Sequence, residues 1–290
     1  MATLININGQ IMPPDQAFIS VFDHGLLFGD SVYEVFTTYK GKLFTEKEHL
    51  TRLKTSAMAI SLKIPFTDEY LLEEMQKTID AAENNESYAR MVITRGRGEI
   101  HISPVSCNSP TMILYVKEAE KYPDEYYSKG IAIAVVSTKR NLKDSLNPGI
   151  KTGNYLNSVL AIIEAKKLGA YDGLMLNSDG FVSECTTSNF YLVKNGGVET
   201  ADPGCGILIG ITRKMLIDVA RENGITVQEC KISPEEIPAA DELIITSTTK
   251  GVMPVTMCDG KQIGNGKPGP VSIKLRSLYQ KKLDKIVDDK

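Results

Sequence analysis

A lysine that precedes a helical pattern is the first residue of this chain that could do covalent chemistry. Lys151 stands a few residues before a stretch whose apolar positions recur at helical spacing, and Gly169 follows that stretch as the expected helix stop. The positive end of a helix dipole disfavours an ammonium, and burial adds to this, so a lysine placed there can become a nucleophile that forms a Schiff base. A solvated surface lysine is the alternative explanation. The apolar positions predicted to share one helix face are Leu156, Val159, Leu160 and Ile163.

Three further features have the chemistry of an anion site. In Gly210-Ile211-Thr212 a glycine precedes a helix start, which exposes backbone N–H groups beside a hydroxyl. Ser247-Thr248-Thr249 offers hydroxyls after a predicted strand, and Arg52 supplies a planar, permanently charged fork for phosphate oxygens. Taken alone, the three are explained equally well as a helix cap, a turn and a solvated helix residue.

Glu184 places a carboxylate at the end of an otherwise apolar hairpin strand that begins near Phe181. Such a glutamate is either exposed at the strand end or held against a cation. A protonated ring nitrogen would be such a cation, and the pairing would keep an electron-sink cofactor protonated.

Strands and helices that position these residues are mixed without the strict alternation of a doubly wound sheet, which favours an α+β fold. Near the N-terminus, Asn8-Gly9 predicts a turn between two strands, and residues 31–39 predict a strand that returns after Lys40-Gly41. Thr45 to Glu48 has the pattern of a capping box, and Thr67 that of a cap, so each opens a helix. Two more strands are predicted at 88–95 and 111–116.

The composition along the chain predicts two domains. We expect a smaller N-terminal α+β domain over residues 1–120, a polar linker over 121–128, and a larger C-terminal domain over 129–290 that carries Lys151. In the second domain, Gly210 and Pro270 open helices, the last with an apolar face of Ile273, Leu278 and Ile286. Its predicted strands are 131–136, 173–177, 181–184, 190–193, 225–230 and 242–246.

Charge and cysteine usage exclude several classes of function. The 290 residues carry a net charge of −3 with no long basic run, so a nucleic-acid partner is not expected. The five cysteines are scattered and never in C-x-x-C spacing, which argues against a metal site and a disulfide framework. No apolar run reaches bilayer length and no targeting segment is recognised, so we expect a cytoplasmic protein without a membrane partner.

Taken together, the motifs resemble the class IV family of pyridoxal-phosphate enzymes, which contains the D-amino acid and branched-chain aminotransferases and aminodeoxychorismate lyase. The resemblance covers nearly the whole chain, and its motifs follow one another in the family's order. They are Phe28-Gly29-Asp30-Ser31-Val32-Tyr33-Glu34, Glu48-His49-Leu50-Thr51-Arg52-Leu53, Tyr88-Ala89-Arg90, Thr94-Arg95-Gly96, Lys151 with Asn154-Tyr155-Leu156, Ser183-Glu184 with Ser188-Asn189-Phe190, Gly210-Ile211-Thr212-Arg213, and Asp241-Glu242 through Pro254-Val255.

This resemblance implies a two-domain fold-type IV enzyme, assembled as a homodimer, that binds pyridoxal 5'-phosphate. Lys151 would carry the cofactor as a Schiff base and then shuttle the substrate proton. Glu184 would pair with the pyridine nitrogen, Tyr155 would hydrogen-bond the ring O3′, and Leu208 would pack on the ring. The residues implied to hold the phosphate are Arg52, Ile211, Thr212, Ser247 and Thr248.

Substrate choice is less clearly encoded, because the N-terminal motifs divide between two branches of the family. Val32-Tyr33-Glu34-Val35 is similar to the D-amino acid enzymes, whereas Tyr88-x-Arg90 is similar to the branched-chain enzymes. Thr37 stands where branched-chain enzymes commonly have an arginine, and Arg97 and His101 are too far apart for the Arg-x-His pair of D-amino acid enzymes. Arg90, Arg95 and Arg97 are candidate carboxylate binders. The other predicted substrate residues are Tyr33, Phe36, Met253 and Thr249.

Three functions follow as hypotheses. The first is an aminotransferase that moves an amino group between a branched-chain or other aliphatic L- or D-amino acid and a 2-oxo acid in a ping-pong reaction. The second is a lyase of the aminodeoxychorismate type, which uses the same lysine and cofactor to eliminate pyruvate. The third is a non-catalytic protein that keeps only the cofactor or the fold. Fold and cofactor alone do not separate the first two.

Overall fold

Two β-sheets organise the chain, which a computed structural model describes over residues 2–290: one sheet has six strands and the other has nine. The chain divides accordingly into two units. The first comprises the described residues up to Glu120 with the short segments Ile150–Asn154 and Asp289–Lys290, and the second comprises Lys121–Gly149 and Tyr155–Asp288. Lys151 therefore packs with the first unit. The predicted division into folding domains at 1–120 and 129–290 stays a prediction.

The first unit is an antiparallel sheet covered by helices on one face. Its strands are β1 (Leu4–Ile7), β2 (Gln10–Met12), β3 (Ser31–Tyr39), β4 (Lys42–Leu43), β5 (Ser87–Thr94) and β6 (Thr111–Glu118). Its α-helices are α1 (His24–Phe28), α2 (Glu46–Ala59) and α3 (Asp68–Ala82), with 3-10 turns at Pro14–Gln16 and Pro104–Ser106. The strand order is β2-β1-β6-β5-β3-β4, and both predicted hairpins are confirmed.

Strand β3 sends alternate residues to opposite faces of this sheet. Val32 and Phe36 enter the hydrophobic core with Leu53 of α2. Tyr33 projects from the other face, where the pairing of Val35 with Arg90 on β5 places Arg90 on the same side. The alternation of side chains along β3 thus separates the hydrophobic core on one face from Tyr33 and Arg90, two predicted substrate residues, on the other.

The helix starts in this unit depend on the preceding backbone. Thr67 caps α3 as predicted, because its Oγ1 accepts the N–H of Tyr70 at 3.2 Å. Thr45 precedes α2 but makes no capping bond, so the predicted capping box is wrong. The exit from the β3–β4 hairpin puts Thr45 in the left-handed region with φ of 54°, and its hydroxyl donates to the carbonyl of Phe44 instead.

The second unit is a mixed sheet with four α-helices. Its strands are β7 (Ile131–Val135), β8 (Asp172–Leu176), β9 (Val182–Cys185), β10 (Asn189–Lys194), β11 (Gly197–Ala201), β12 (Val227–Cys230), β13 (Glu242–Ser247), β14 (Gly251–Cys258) and β15 (Lys261–Gln262). Its helices are α4 (Asp124–Ser128), α5 (Leu156–Lys167), α6 (Ile211–Glu222) and α7 (Pro270–Asp288), with 3-10 turns at Pro203–Cys205 and Pro234–Ala239. The strand order is β12-β11-β10-β13-β14-β7-β8-β9, with β15 beside β14.

Strands β11, β14 and β15 were not among the predicted elements. Gly196-Gly197 is typical of a turn, and Pro254 interrupts the pattern of β14 although it lies within that strand opposite Ile244. Helix α4 also occupies most of the predicted linker.

The buried faces of two helices differ from the prediction. On α5 the small residues Ala161 and Ala165 are fully buried and approach Gly173 of β8, whereas the predicted apolar stripe faces outward. The exposed fractions are 69% for Leu156, 42% for Val159, 51% for Leu160 and 46% for Ile163. Small residues allow a helix to lie close to a sheet, so the face with Ala161 and Ala165 packs on β8 in place of the face with larger side chains.

On α7 the buried face contains Leu275, Tyr279 and Leu283. Ile273 is 59% exposed, so the predicted face of this helix is also wrong. Within residues 2–290 no helix combines the length and the apolar character needed to cross a bilayer.

Candidate active site

The backbone of Lys151 extends the first unit's sheet along the edge of β3 opposite β5. The N–H of Tyr33 donates to the Lys151 carbonyl at 3.1 Å, and the N–H of Gly153 donates to the carbonyl of Ser31 at 2.9 Å. On its other side, the Lys151 N–H donates to Ser56 Oγ of α2 at 3.1 Å. Lys151 is thus held by a strand-like segment and is not part of the first turn of α5, which begins at Leu156. The sequence had predicted that the dipole of this helix acts on Lys151.

The side chain of Lys151 lies against Tyr33. Its Nζ is 3.4 Å from Tyr33 Oη and 4.4 Å from the centroid of the tyrosine ring. The Arg90 guanidinium carbon lies 4.1 Å from the same centroid, so two cations contact one ring. Tyr33 is only 4% exposed, which fixes the position of both contacts.

A buried carboxylate, Glu34, anchors Arg52. The Oε1 of Glu34 accepts from Arg52 Nε at 2.6 Å, and its Oε2 accepts from Arg52 Nη2 at 2.8 Å. Burial alone would raise the pKa of Glu34, but the charge and hydrogen bonds of Arg52, together with His49, outweigh it and hold that pKa at about 2. The carboxylate is therefore ionised, and it fixes the plane of the guanidinium.

His49 completes this group from the same face of α2, three residues before Arg52. Its Nδ1 lies 2.7 Å from Glu34 Oε2. Burial lowers the pKa of His49 below its usual value, more than Glu34 raises it, so the imidazole is neutral and donates its Nδ1–H to the carboxylate.

Glu184, predicted to pair with a ring nitrogen, is buried on β9 among donors of the second unit. Arg140 contacts its Oε1 through Nε at 3.1 Å and Nη2 at 2.9 Å. The N–H of Leu208 and the Nδ2 of Asn189 donate to its Oε2 at 3.0 and 3.3 Å. This donor set suits an ionised carboxylate held in one orientation.

The helix start that the sequence predicts as an anion cup is the N-terminus of α6. This helix begins at Ile211, and its N-cap residue, Gly210, supplies no side-chain cap to the first N–H groups. A Cβ added to Gly210 would lie 2.2 Å from Asn189 Oδ1, so this close approach requires glycine. The Thr212 side chain hydrogen-bonds Tyr279, whose pKa burial raises to about 12.

The turn between β13 and β14 presents one hydroxyl more freely than the others. Ser247 Oγ accepts a hydrogen bond from the N–H of Lys250 at 3.3 Å and lies 3.4 Å from Thr249 Oγ1. Thr249 Oγ1 also accepts a hydrogen bond from the Tyr122 hydroxyl. The Thr248 hydroxyl has no hydrogen-bond partner in the described part of the chain and is half-buried. It is the hydroxyl of this turn best placed to bind a ligand.

The residues predicted to bind substrate lie in different environments. Phe36 and Met253 are fully buried in the cores of the first and second units, and neither is retained as a substrate residue. Arg95 binds Asp30 through Nε at 2.8 Å and Nη2 at 3.0 Å and donates to two carbonyls just after α2, so its guanidinium is engaged within its own unit. Arg97 is exposed in the following loop.

The sequence analysis gave no individual role to several buried polar residues. His49 and Arg52 are three residues apart, a spacing that places both on one helix face and could have suggested a shared partner. Asn189 was noticed only within a motif. Neither Arg140 nor Lys250 has a local signal, because their partners are distant in the chain.

Comparison with known proteins assigns these groups to a family. A model of the family described as "Amino-transferase class IV" matches residues 31–258. The "Putative branched-chain-amino-acid aminotransferase" of Methanocaldococcus jannaschii is 38% identical over 276 residues, 95% of each chain. The D-alanine aminotransferase of Bacillus licheniformis is 32% identical over 273 residues, 94% of each chain. The crystal structure of the branched-chain amino acid aminotransferase of Escherichia coli matches with a TM-score of 0.91 and 30% identity, covering 96% of this chain and 93% of that one.

The two-sheet α+β architecture is that of a fold-type IV pyridoxal-phosphate enzyme. Within this class, the chain belongs to the class IV aminotransferase family and is a pyridoxal-phosphate-dependent transaminase.

The residues present fit this cofactor. A buried, oriented carboxylate at Glu184 suits a protonated ring nitrogen, and a helix start without a side-chain cap suits a phosphate. The lysine amine against Tyr33 suits an aldehyde. The three parts of the cofactor thus each have a matching group in the chain.

Proposed function

We propose that this protein transfers an amino group between an aliphatic amino acid and a 2-oxo acid, with Lys151 as the catalytic residue. The observation that carries the proposal is the contact of Lys151 Nζ with Tyr33, on the same ring that Arg90 contacts. The reaction requires an amine to hold the cofactor aldehyde and a cation to bind the substrate carboxylate. Lys151 and Arg90 offer these two groups against one tyrosine ring.

Lys151 has two roles in this proposal. Pyridoxal phosphate, when bound, supplies the aldehyde that exchanges amino groups and the electron sink that stabilises a carbanion. Lys151 Nζ would hold the aldehyde of the bound cofactor and, when free of it, would carry the proton of the substrate Cα. Tyr33 Oη accepts a hydrogen bond from Nζ and orients it.

The other residues bind and orient. Glu184, held by Arg140 and Asn189, pairs with the ring nitrogen. Tyr155 hydrogen-bonds the ring O3′, and Leu208 packs on the ring. The phosphate is held by the N–H groups of Ile211 and Thr212, the hydroxyls of Thr248 and Ser247, and Arg52. Glu34 binds one edge of the Arg52 fork and fixes the plane of the guanidinium.

Relatives with two kinds of substrate support an aliphatic donor. Their names refer to branched-chain amino acids in one case and to D-alanine in another. For the substrate carboxylate we favour Arg90 over Arg95, because Asp30 and backbone carbonyls already engage Arg95. Tyr33 and Thr249 remain proposed substrate contacts, and Arg97 is proposed to act from its exposed loop.

We further propose that the enzyme is a cytoplasmic homodimer. The outward stripe of α5, defined as Leu156, Val159, Leu160 and Ile163, is an apolar surface of the kind that subunit interfaces cover. The first unit has a second such surface: Gly98 hydrogen-bonds Phe22, which brings together two segments with exposed apolar side chains, Phe18, Val21, Leu26, Ile100, Ile102 and Val105. The scattered spacing of the five cysteines, none of them in a C-x-x-C pair, is the reason we propose a reducing compartment.

The visible spectrum of the cofactor-loaded protein tests the function. Separate L- and D-amino acids, among them leucine and alanine, are added without any oxo acid. We expect the visible band to disappear with aliphatic donors of one handedness, which would give stereochemistry and side-chain class together. The Lys151→Ala variant should lose turnover by about a thousandfold or more.

Two results would contradict the proposal. Normal turnover by Lys151→Ala would exclude Lys151 as the proton carrier. A band that no donor changes, together with pyruvate release from aminodeoxychorismate, would identify a lyase instead.

A further inference from the structure

Lys250 is a buried charged residue that the proposed function does not use. It ends the turn between β13 and β14 and is only 8% exposed. Removing an ammonium from water is costly unless hydrogen bonds and an opposite charge compensate it. Its partners therefore indicate what the residue does.

The Lys250 ammonium reaches the turn between β9 and β10. Its Nζ donates to Thr187 Oγ1 at 2.8 Å and to Ser188 Oγ at 3.1 Å. Asp172 supplies the opposite charge, with its Oδ2 at 3.9 Å from Nζ. That oxygen has no hydrogen-bond partner within residues 2–290, so Lys250 is its compensating cation.

Asp172 also holds the β9–β10 turn directly. Its Oδ1 accepts the N–H of Gly173 at 2.8 Å and both the N–H and the hydroxyl of Thr186. The Lys250–Asp172 pair thus engages three consecutive residues of this turn, Thr186, Thr187 and Ser188.

The two turns joined by Lys250 lead to opposite ends of the proposed cofactor site. The β9–β10 turn connects Glu184 with Asn189, which act on the ring nitrogen end. The β13–β14 turn contains Thr248, which acts on the phosphate end. Asn189 at the start of β10 pairs with Thr246 near the end of β13, so both turns lie at the same end of these two strands. Just beyond that pair, the Lys250 side chain joins the two turns.

We propose that Lys250 is a positioning residue that fixes the spacing between the Glu184 end and the Thr248 end of the cofactor site. This inference rests on the proposed function. With the spacing fixed, contact at one end presents the cofactor to the other end at high effective concentration. With Lys250 removed, each end still binds its own part of the molecule, but the two no longer reinforce one another.

Three ligands separate this role from a general structural one: pyridoxal 5'-phosphate, pyridoxal and inorganic phosphate. Dissociation constants are measured for the wild type, for Lys250→Met and for Lys166→Met. Lys166 is a matched control because its Nζ also donates to protein oxygens, the carbonyls of Ala170 and Tyr171, but not in the turns of the site. We expect Lys250→Met to bind pyridoxal 5'-phosphate about tenfold more weakly, with pyridoxal and phosphate changed by less than about twofold. Lys166→Met should match the wild type.

Two outcomes would overturn the inference. One is unchanged affinity of Lys250→Met for pyridoxal 5'-phosphate, and the other is an equal loss of affinity for all three ligands. If Lys250→Met does not fold, the double variant Thr187→Val/Ser188→Ala decides, because it removes both hydroxyl contacts and leaves the Lys250–Asp172 pair. A wild-type chain that bound no pyridoxal 5'-phosphate would instead overturn the proposed function, and this inference with it.

Discussion

Lys151 Nζ lies 3.4 Å from Tyr33 Oη and stands against the face of the same ring, so one side chain provides both a hydrogen-bond acceptor and a π-surface for the ammonium. The backbone strengthens the relationship, since the N–H of Tyr33 donates to the carbonyl of Lys151. The orientation of the amine is therefore set by a neighbour on β3.

Tyr33→Phe should slow proton transfer without weakening cofactor binding. The variant keeps the ring under the ammonium but removes the hydroxyl, and with it a hydrogen bond of about 1 kcal/mol. We expect the half-reaction with an amino acid donor, measured by the loss of the visible band, to slow by about fivefold. Tyr115→Phe on the same sheet, at a 41% exposed position, is the control. An unchanged rate would assign the hydroxyl no role in orienting Lys151.

Glu34 should make the protein sensitive to acid in a defined range. Its pKa is about 2 in the folded state against about 4.5 unfolded, so the unfolded state binds the extra proton between these values. The stabilisation is complete above pH 4.5 and is lost as the pH falls towards 2, by about 3 kcal/mol. Urea unfolding at several pH values should show a flatter acid limb for Glu34→Gln than for the wild type; parallel curves would contradict this assignment.

His49 should add a second decrease in the free energy of unfolding, which begins at a higher pH than that of Glu34. Because its folded pKa is lowered, the unfolded state takes up a proton first as the pH falls below about 6.5, and stability decreases from that point. Replacing His49 with Gln should remove the slope just below pH 6.5 while leaving the Glu34 slope below pH 4.5. Retention of the upper slope would show that another group produces it.

Arg140→Gln should destabilise the cofactor-free protein more than the loaded one. The substitution removes the Arg140 cation from the buried Glu184, which costs about 3 kcal/mol. In the proposed binding mode, added pyridoxal phosphate would place a protonated ring nitrogen beside Glu184 and restore part of this loss. The rise in Tm on loading should therefore be larger in Arg140→Gln than in the wild type. Arg213→Gln, which disrupts a different ion pair with Glu229, should show the ordinary rise.

Leu160→Glu should separate the proposed dimer into monomers. The residue is 51% exposed on the outward stripe of α5, and a charge there would be buried without a partner in an interface. Light scattering after size exclusion measures the mass directly. Lys167→Glu changes the charge at an exposed position on the same helix and should leave the mass unchanged. A Leu160→Glu protein with the mass of the wild type would place the interface elsewhere.

Features encoded within a few residues were predictable, whereas choices between distant partners were not. The helix start after Gly210 and the cap at Thr67 are local, and both are present as predicted. The α5 pattern identified a helix but not its buried face, because that depends on which face presents small residues to Gly173. Periodicity measures amphipathic character, and it does not distinguish a core from an interface.

The same limit applies to the charged groups. Arg52 was recognised as a fork for an anion, but its carboxylate partner Glu34 lies 18 positions earlier on a neighbouring strand. Likewise the sequence left open whether Glu184 is exposed or held against a cation, and the structure places Arg140 against it from 44 positions away. Such pairs depend on strand pairing and helix packing, which a single sequence does not specify.

The strand-like segment around Lys151 also protects the edge of β3. Ser31 and Tyr33 use their backbone groups to bond residues 151 and 153, which reach the first unit only through chain that belongs to the second. A fragment ending at Glu120 would lack this cover and would present an unpaired strand edge to other molecules. The strand-like segment around Lys151 thus covers an edge of the first unit's sheet that could otherwise pair with other chains, in addition to its proposed part in catalysis.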